Sequence, residues 1–147
     1  MTNESSLLYY SYVNDKPIAF TLIHAAHLIE GRLEEALATV NLSGPKFAAL
    51  SALVGAGESL SMCDLAGKLT CVRSNCTQLV DRLEADGLVR RVEDPKDRRA
   101  VRAEVTALGR ERQAAGAKKV AAVHQQLNKQ LSGVNAELLN AALASIQ

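Results

Sequence analysis

No tryptophan occurs in this chain of 147 residues, and three tyrosines and two phenylalanines hold the aromatic content to 3%. A hydrophobic share of 48% therefore rests on Leu, Ile, Val and Ala, which suits packed helices better than β-sandwiches. No apolar run is long enough to cross a bilayer, and the N-terminus lacks the basic-then-apolar order of a signal peptide. Both absences predict a cytoplasmic protein without a membrane partner. In that compartment the three cysteines, Cys63, Cys71 and Cys76, rest as thiols rather than as structural disulfides. No Gly-rich phosphate loop or oxyanion loop is visible, and the glycines fall at helix ends, so an enzyme is not expected.

Charge is scarce only in total. The formal net charge is +1, yet 11 of the 17 basic residues fall within residues 68–112, and six of those within 90–102. A near-neutral chain with one basic cluster points toward nucleic acid.

The length fits one domain with a real core. Residues 1–15 are polar and irregular apart from Leu7, Leu8, Tyr9, Tyr10 and Tyr12. From Pro17 onward Ile18, Leu22, Ala26, Ile29, Leu33, Leu37 and Val40 recur every three or four positions, the stripe of a long amphipathic helix. Ser43-Gly44-Pro45 opens a second helix with Phe47, Leu50, Leu53 and Val54 inward, ended by Gly55 and Gly57. Ser61 to Asp64 reads as a capping box ahead of a short helix through Leu65, Ala66 and Leu69. After a tight turn a fourth helix runs to Ala85 with Leu79, Val80 and Leu83 inward, and Asp86-Gly87 stops it.

Two β-like runs follow, residues 88–92 and 100–106. In the second, Val101, Ala103 and Val105 alternate with Arg102 and Glu104. Between them EDPKDRR makes a charged hairpin tip. Thr106 caps a long helix with Leu108, Val120, Val123, Leu127 and Leu131. Gly133 breaks it, and Leu138, Leu139, Ala142, Leu143 and Ile146 mark a last one. The order predicts a mainly α fold. A short helix, a turn, a second helix and a basic hairpin form a winged helix-turn-helix over residues 43–106. The flanking segments, 1–42 and 107–147, form a helical dimerisation region.

The stretch LVDRLEADGLVRRVEDPKDRRAVRAEVTALGR, residues 79–110, resembles the MarR family of bacterial transcription regulators. The likeness lies in the L-V-D-R-L-E helix end, G-L-V, the D-P-x-D-R-R-A wing and the T-x-x-G-R that enters the dimerisation helix. Val105-Thr106 stands where the family has L-T. The resemblance is strongest over residues 60–112, and D-P-x-D-R-R is its specific part. It implies a homodimer, triangular in outline, that sets two winged helices on a pseudo-palindromic double-stranded operator, most often as a repressor. A winged helix used only for protein contacts is the rival reading.

Arg73, Ser74, Asn75, Thr77 and Gln78 fall near the N-terminus of the motif's second helix, where base edges are met. Arg73 suits guanine, and Asn75 or Gln78 suits adenine. Lys96, Asp97, Arg98 and Arg99 form the wing tip. The resemblance implies that Arg99 enters the minor groove with Asp97 orienting its guanidinium. Arg90, Arg91 and Arg102 are left for phosphate contacts or wing salt bridges.

Effectors are less legible. The resemblance implies release by a phenolic ligand, by cysteine oxidation or, more rarely, by metal. His24 and His27, with Glu30 three positions on, share a helix face that suits a ligand pocket or a metal, and His124 joins them only if the fold brings it near. Cys71 and Cys76 become N′ and N4 of a hydrophobic staple if Val72 is the N-cap, whereas Thr70 as cap loosens that pairing. They pack as small hydrophobes or serve as a redox or thiophilic-metal sensor with Cys63 as third thiol. No resident cofactor is expected. Their spacing matches none of the paired zinc-ligand motifs.

Overall fold

The computed structural model describes residues 17–97 and 99–146 of the chain. The irregular N-terminal run with its tyrosines, and Arg98, lie outside the described residues. Six helices and three short strands follow one another among them: α1 (Ile18–Ala38), α2 (Gly44–Ala56), β1 (Leu60–Ser61), α3 (Met62–Lys68), α4 (Arg73–Ala85), β2 (Val89–Glu93), β3 (Val101–Val105), α5 (Ala107–Gln130) and α6 (Ala136–Ala144).

Local chemistry accounts for most of the boundaries. Pro17 stands as the N-cap of α1 in extended backbone, one position before the first turn. Ser61 accepts the Asp64 N–H at 3.1 Å and donates its hydroxyl to Asp64 Oδ2 at 2.7 Å. The capping box is thus altered: Asp64, one methylene shorter than Glu, holds the cap hydroxyl instead of the cap's backbone N–H. Thr106 and Asn135 cap α5 and α6 by accepting from Gly109 and Leu138. Ser43 departs from expectation, since it caps α2 without a side-chain bond. The Gly44 N–H is taken instead by Glu34 Oε1 of α1 at 2.8 Å. Gly55 sits inside α2, and Gly57, at φ +72°, ends it.

The core lies under the winged helix. Leu50, Leu53, Leu65, Val80, Leu83 and Leu88 are fully buried, and Cys76 is buried among them. The sheet order is β1-β3-β2, all antiparallel, with Leu60 opposite Ala103 and Val89 opposite Val105. Ala103 and Val105 point inward as their alternation predicts, but Val101 is 43% exposed. It sits at the wing end of β3, beyond the reach of the helices that cover the sheet.

α1 and α5 run antiparallel, as two distant hydrogen bonds require: Arg32 Nη1 donates to Gln130 Oε1 at 3.0 Å, and Arg112 Nη1 to the Val40 carbonyl at 3.1 Å. The expected stripe of α1 is buried only at its C-terminal end, at Leu37, while Ile18, Phe20, Ile23 and Leu28 are exposed. No residue of α6 is buried. Leu131, Val134, Leu138, Leu143 and Ile146 extend that apolar surface on the other terminal segment.

One close approach joins the α5 helix to the wing root. Thr106 N–H bonds the Leu88 carbonyl at 3.1 Å, and its hydroxyl bonds the Gly87 carbonyl at 2.8 Å. A Cβ on Gly109 would fall 2.0 Å from the Leu88 oxygen and 2.8 Å from Val105 Cγ2. Gly109→Ala is therefore expected to destabilise the chain by about 2–3 kcal/mol. Gly55→Ala, where a Cβ meets nothing within 4 Å, gains about 0.5–1 kcal/mol from helix propensity. Urea unfolding of the two variants checks the opposite signs.

Candidate nucleic-acid interface

The second helix of the motif, α4, begins after a sharp turn. Thr70 adopts a left-handed backbone at φ +49°, and Val72 is the N-cap without any side-chain cap bond. That outcome makes Cys71 N′ and Cys76 N4, as the staple requires. Cys76, Val80 and Leu83 form the buried stripe of α4. At 100° per residue, Ser74, Gln78 and Asp81 then project away from the core.

Arg73, Ser74, Asn75 and Gln78 are exposed. Thr77 is half-buried, and its hydroxyl donates to the Arg73 carbonyl at 3.0 Å. This bond within the helix occupies the group expected to reach a base, so Thr77 is the weakest of the five. Arg82, one turn beyond Gln78 and also exposed, extends the same face. Its i+4 spacing from Gln78 was a signal available in the sequence.

The wing is organised by a residue that motif reading passed over. Asp94 Oδ1 accepts the Lys96 N–H at 2.8 Å and the Asp97 N–H at 3.3 Å, while Oδ2 accepts from Arg102 Nη1 at 3.0 Å. Arg102 also donates to the Ser59 hydroxyl at 2.9 Å and to the Ser59 carbonyl. One guanidinium thus ties the wing loop to the strand entry before β1. The first residue of D-P-x-D-R-R is an Asx turn of the kind that Asp before Pro signals. Lys96, Asp97 and Arg99 are exposed around it. Asp97 Oδ1 accepts the backbone N–H of Arg99 at 2.9 Å, so it orients Arg99 through the main chain rather than through the expected guanidinium contact.

Arg90, Arg91 and Arg102 are all engaged in ion pairs. Arg90 pairs with Glu104 across the sheet. Arg91 of β2 reaches Asp81 at 2.5 Å and Glu84, both on α4. Hydrogen bonding to Asp81, with support from Glu84, raises the Arg91 pKa above its ordinary value. Of the two alternatives for these three residues, phosphate contacts or wing salt bridges, the structure shows the salt bridges.

The effector residues separate. Cys63 is exposed, Cys71 half-buried and Cys76 buried, and all are free thiols. Burial first, and the neighbouring Cys71 thiol second, push the Cys76 thiol above its ordinary value. Among the described residues, no group of three His, Cys, Asp or Glu is placed to hold a metal. Neither His24-His27-Glu30 nor the three cysteines make such a site. His24 and His27 are exposed on α1 and line none of the three clefts described next.

The first cleft, of about 530 Å³, is bordered by Asn41, Lys46, Asp86 and Arg112, and a second, of about 440 Å³, by Glu30, Leu33, Phe47 and Val120. The third, also about 440 Å³, runs beside α4 and includes Leu69, Cys71, Asn75 and Gln78. The first two clefts lie further along α1 than His24 and His27. No described helix is long and apolar enough to cross a membrane.

Comparison with known proteins bears directly on this arrangement. The MarR family model matches residues 40–100, which span the motif, the wing and their approach. Over that segment the chain is similar to the MarR family. An HTH-type transcriptional regulator of Bacillus subtilis (strain 168), YsmB, is 37% identical over 82 residues. That match spans 56% of this chain and about half of the relative, 56% of its length. The crystal structure of a MarR-family regulator from Rhodococcus sp. RHA1 superposes with a TM-score of 0.70 at 25% identity, over 92% of this chain and 93% of that one. The transcriptional repressor CouR, bound to a 23-mer DNA duplex, does so with a TM-score of 0.76 at 29% identity, over 88% and 92%.

In this wing, the bonds from Lys96, Arg102 and Asp97 hold the Asp94 carboxyl below its ordinary value of 3.8. The unfolded chain binds the proton more readily than the folded one, so Asp94 stabilises the wing above the unfolded value. That contribution is lost as pH falls through the depressed folded value. Urea midpoints measured from about pH 5 down to about pH 2 should fall less steeply in Asp94→Asn than in the parent chain.

Proposed function

We propose that the chain is a homodimeric transcriptional regulator, acting as a repressor, that sets α4 in the major groove and the wing in the adjacent minor groove of a pseudo-palindromic operator. The observation that carries this reading is the joining of two exposed polar surfaces by Arg91. One is Arg73, Ser74, Asn75 and Gln78 on α4, and the other is Lys96 and Arg99 on the wing. Arg73 is suited to guanine, and Asn75 or Gln78 to adenine. Arg99 carries the planar charge that a narrow minor groove attracts. Thr77, Asp97 and Arg98 complete the proposed DNA-facing set, with Asp97 acting through the Arg99 main chain.

Residues 1–42 and 107–147 form the dimerisation region in this reading, and 43–106 the DNA-binding lobe. The exposed apolar side chains of α1, α6 and the residues just after α6 support it, because a monomer would leave Ile18, Ile23, Leu28, Leu138 and Ile146 in water. Isologous pairing of these segments buries both faces at once. CouR, whose structure contains a DNA duplex, supports the placement of the same fold on DNA.

Release from the operator by an effector belongs to the same proposal. The effector is either a thiol-directed oxidant or metal, or a small phenolic-type ligand. For the latter, the Arg112 guanidinium beside the Lys46–Asp86 ion pair leaves the first cleft one net positive charge, which suits a phenolate or carboxylate.

Arg99→Ala is expected to lower operator affinity by about tenfold or more, with the circular dichroism spectrum and dimer mass unchanged. Mobility-shift titration on a duplex selected from genomic fragments reads the affinity, and an unchanged value overturns the wing assignment. If no genomic fragment is selected, the winged helix is a protein-contact module instead.

A further inference from the structure

We propose that Cys71 and Cys76 form a two-sulfur site for an organic trivalent arsenical, or a metalloid of the same thiophilic class, and that filling it displaces the reading helix from DNA. The proposal deepens the regulatory reading above and rests on it for the second clause only.

Position comes first. The two thiols stand at N′ and N4 of α4, on either side of its N-cap, and are close enough for Cys71 to perturb the Cys76 thiol. Access comes next. Cys71 is half-buried and borders the cleft of about 440 Å³ beside α4, whose wall there is apolar through Pro45, Ala48, Leu69 and Leu79. An organic substituent on the arriving atom has a seat on that wall.

Coordination number then selects the ligand class. No third His, Cys, Asp or Glu joins the pair among the described residues, so a tetrahedral cation lacks donors. An organoarsenic(III) centre brings one carbon of its own and needs two sulfurs. Two As–OH bonds break, two As–S bonds form, and the thiol protons leave with the hydroxides as two waters. Arsenic stays trivalent, so no oxidant is consumed. The reaction accepts protonated thiols, which fits a Cys76 thiol held protonated by burial. Peroxide chemistry instead requires the thiolate.

The same geometry couples the site to DNA. Cys76 is fully buried against Val80 and Leu83, so bridging it to Cys71 draws it out of its packing. The start of α4 has no side-chain cap bond to resist this, and the turn before it already holds Thr70 in a left-handed conformation. Arg73, Ser74 and Asn75 lie between the two cysteines along the chain and move with them.

Phenylarsine oxide is the probe, with the full-length chain. Native mass spectrometry should find one phenylarsenic adduct per chain. A dithiol should reverse the adduct and a monothiol should not. Cys63→Ala should behave as the parent chain, whereas Cys71→Ala and Cys76→Val should lose the dithiol-specific adduct. Cys71 is only half-buried, so Cys71→Ala preserves the fold, and circular dichroism checks this. Equal adduct formation by Cys71→Ala overturns the site.

Fluorescence anisotropy of the selected operator duplex reads the second clause. The arsenical should weaken binding by about tenfold or more in the parent chain and in Cys63→Ala only. An adduct that leaves affinity unchanged overturns the coupling. Release by hydrogen peroxide but not by the arsenical overturns the ligand class. Absence of duplex binding by the untreated protein speaks against the regulator reading alone, since the adduct is measured on free protein.

Discussion

The arrangement of the winged helix-turn-helix depends on one guanidinium. Arg91 leaves β2 and meets Asp81 and Glu84 on α4, while Glu84 Oε1 also accepts the Arg91 backbone N–H at 3.2 Å. An ion pair in water contributes little to stability by itself. Two carboxylates on one planar fork do something different, because the fork fixes direction as well as distance. The reading helix and the wing thereby become a single body. Arg102 repeats the device from the next rung of the ladder toward the tip, joining Ser59 and Asp94. Between them, the two arginines turn a pair of short strands into a rigid arm.

This division of labour explains why a basic cluster is not uniformly free to meet a partner. Within residues 90–102, Arg90, Arg91 and Arg102 are committed to carboxylates. Lys96 and Arg99 point to solvent at the tip. Charge counted along the chain cannot separate the two groups, because the acidic partners of Arg91 lie seven and ten residues away on another element. Asp94 is the hinge between them, spending one oxygen on the loop and the other on Arg102.

Helix order, the wing and the caps at Ser61 and Thr106 were legible because each rests on residues adjacent in sequence. The staple of Cys71 and Cys76 was legible for the same reason, once Val72 is taken as the cap. The two-residue strand β1 was not, since alternation cannot be read over Leu60 and Ser61 alone. Nor was Gly109, whose glycine is required by a backbone carbonyl 21 positions earlier at Leu88. His24 and His27 carried a helical spacing that suits a site, but the helix turns them to solvent. Spacing fixes a shared face; only packing decides what that face meets. The apolar stripe of α1 makes the same point, being buried at Leu37, half-buried at Leu22, Ile29 and Leu33, and open at Ile18 and Ala26.

The central claim is that this lobe meets a charged duplex through several basic groups at once. The salt dependence of duplex affinity tests it most directly. Neutralised phosphates release counterions, so log K should fall linearly with log salt concentration, with a slope of about −0.9 for each phosphate engaged. A steep slope, corresponding to several phosphates per dimer, is the predicted result. An affinity that stays flat between low and physiological salt would contradict the account.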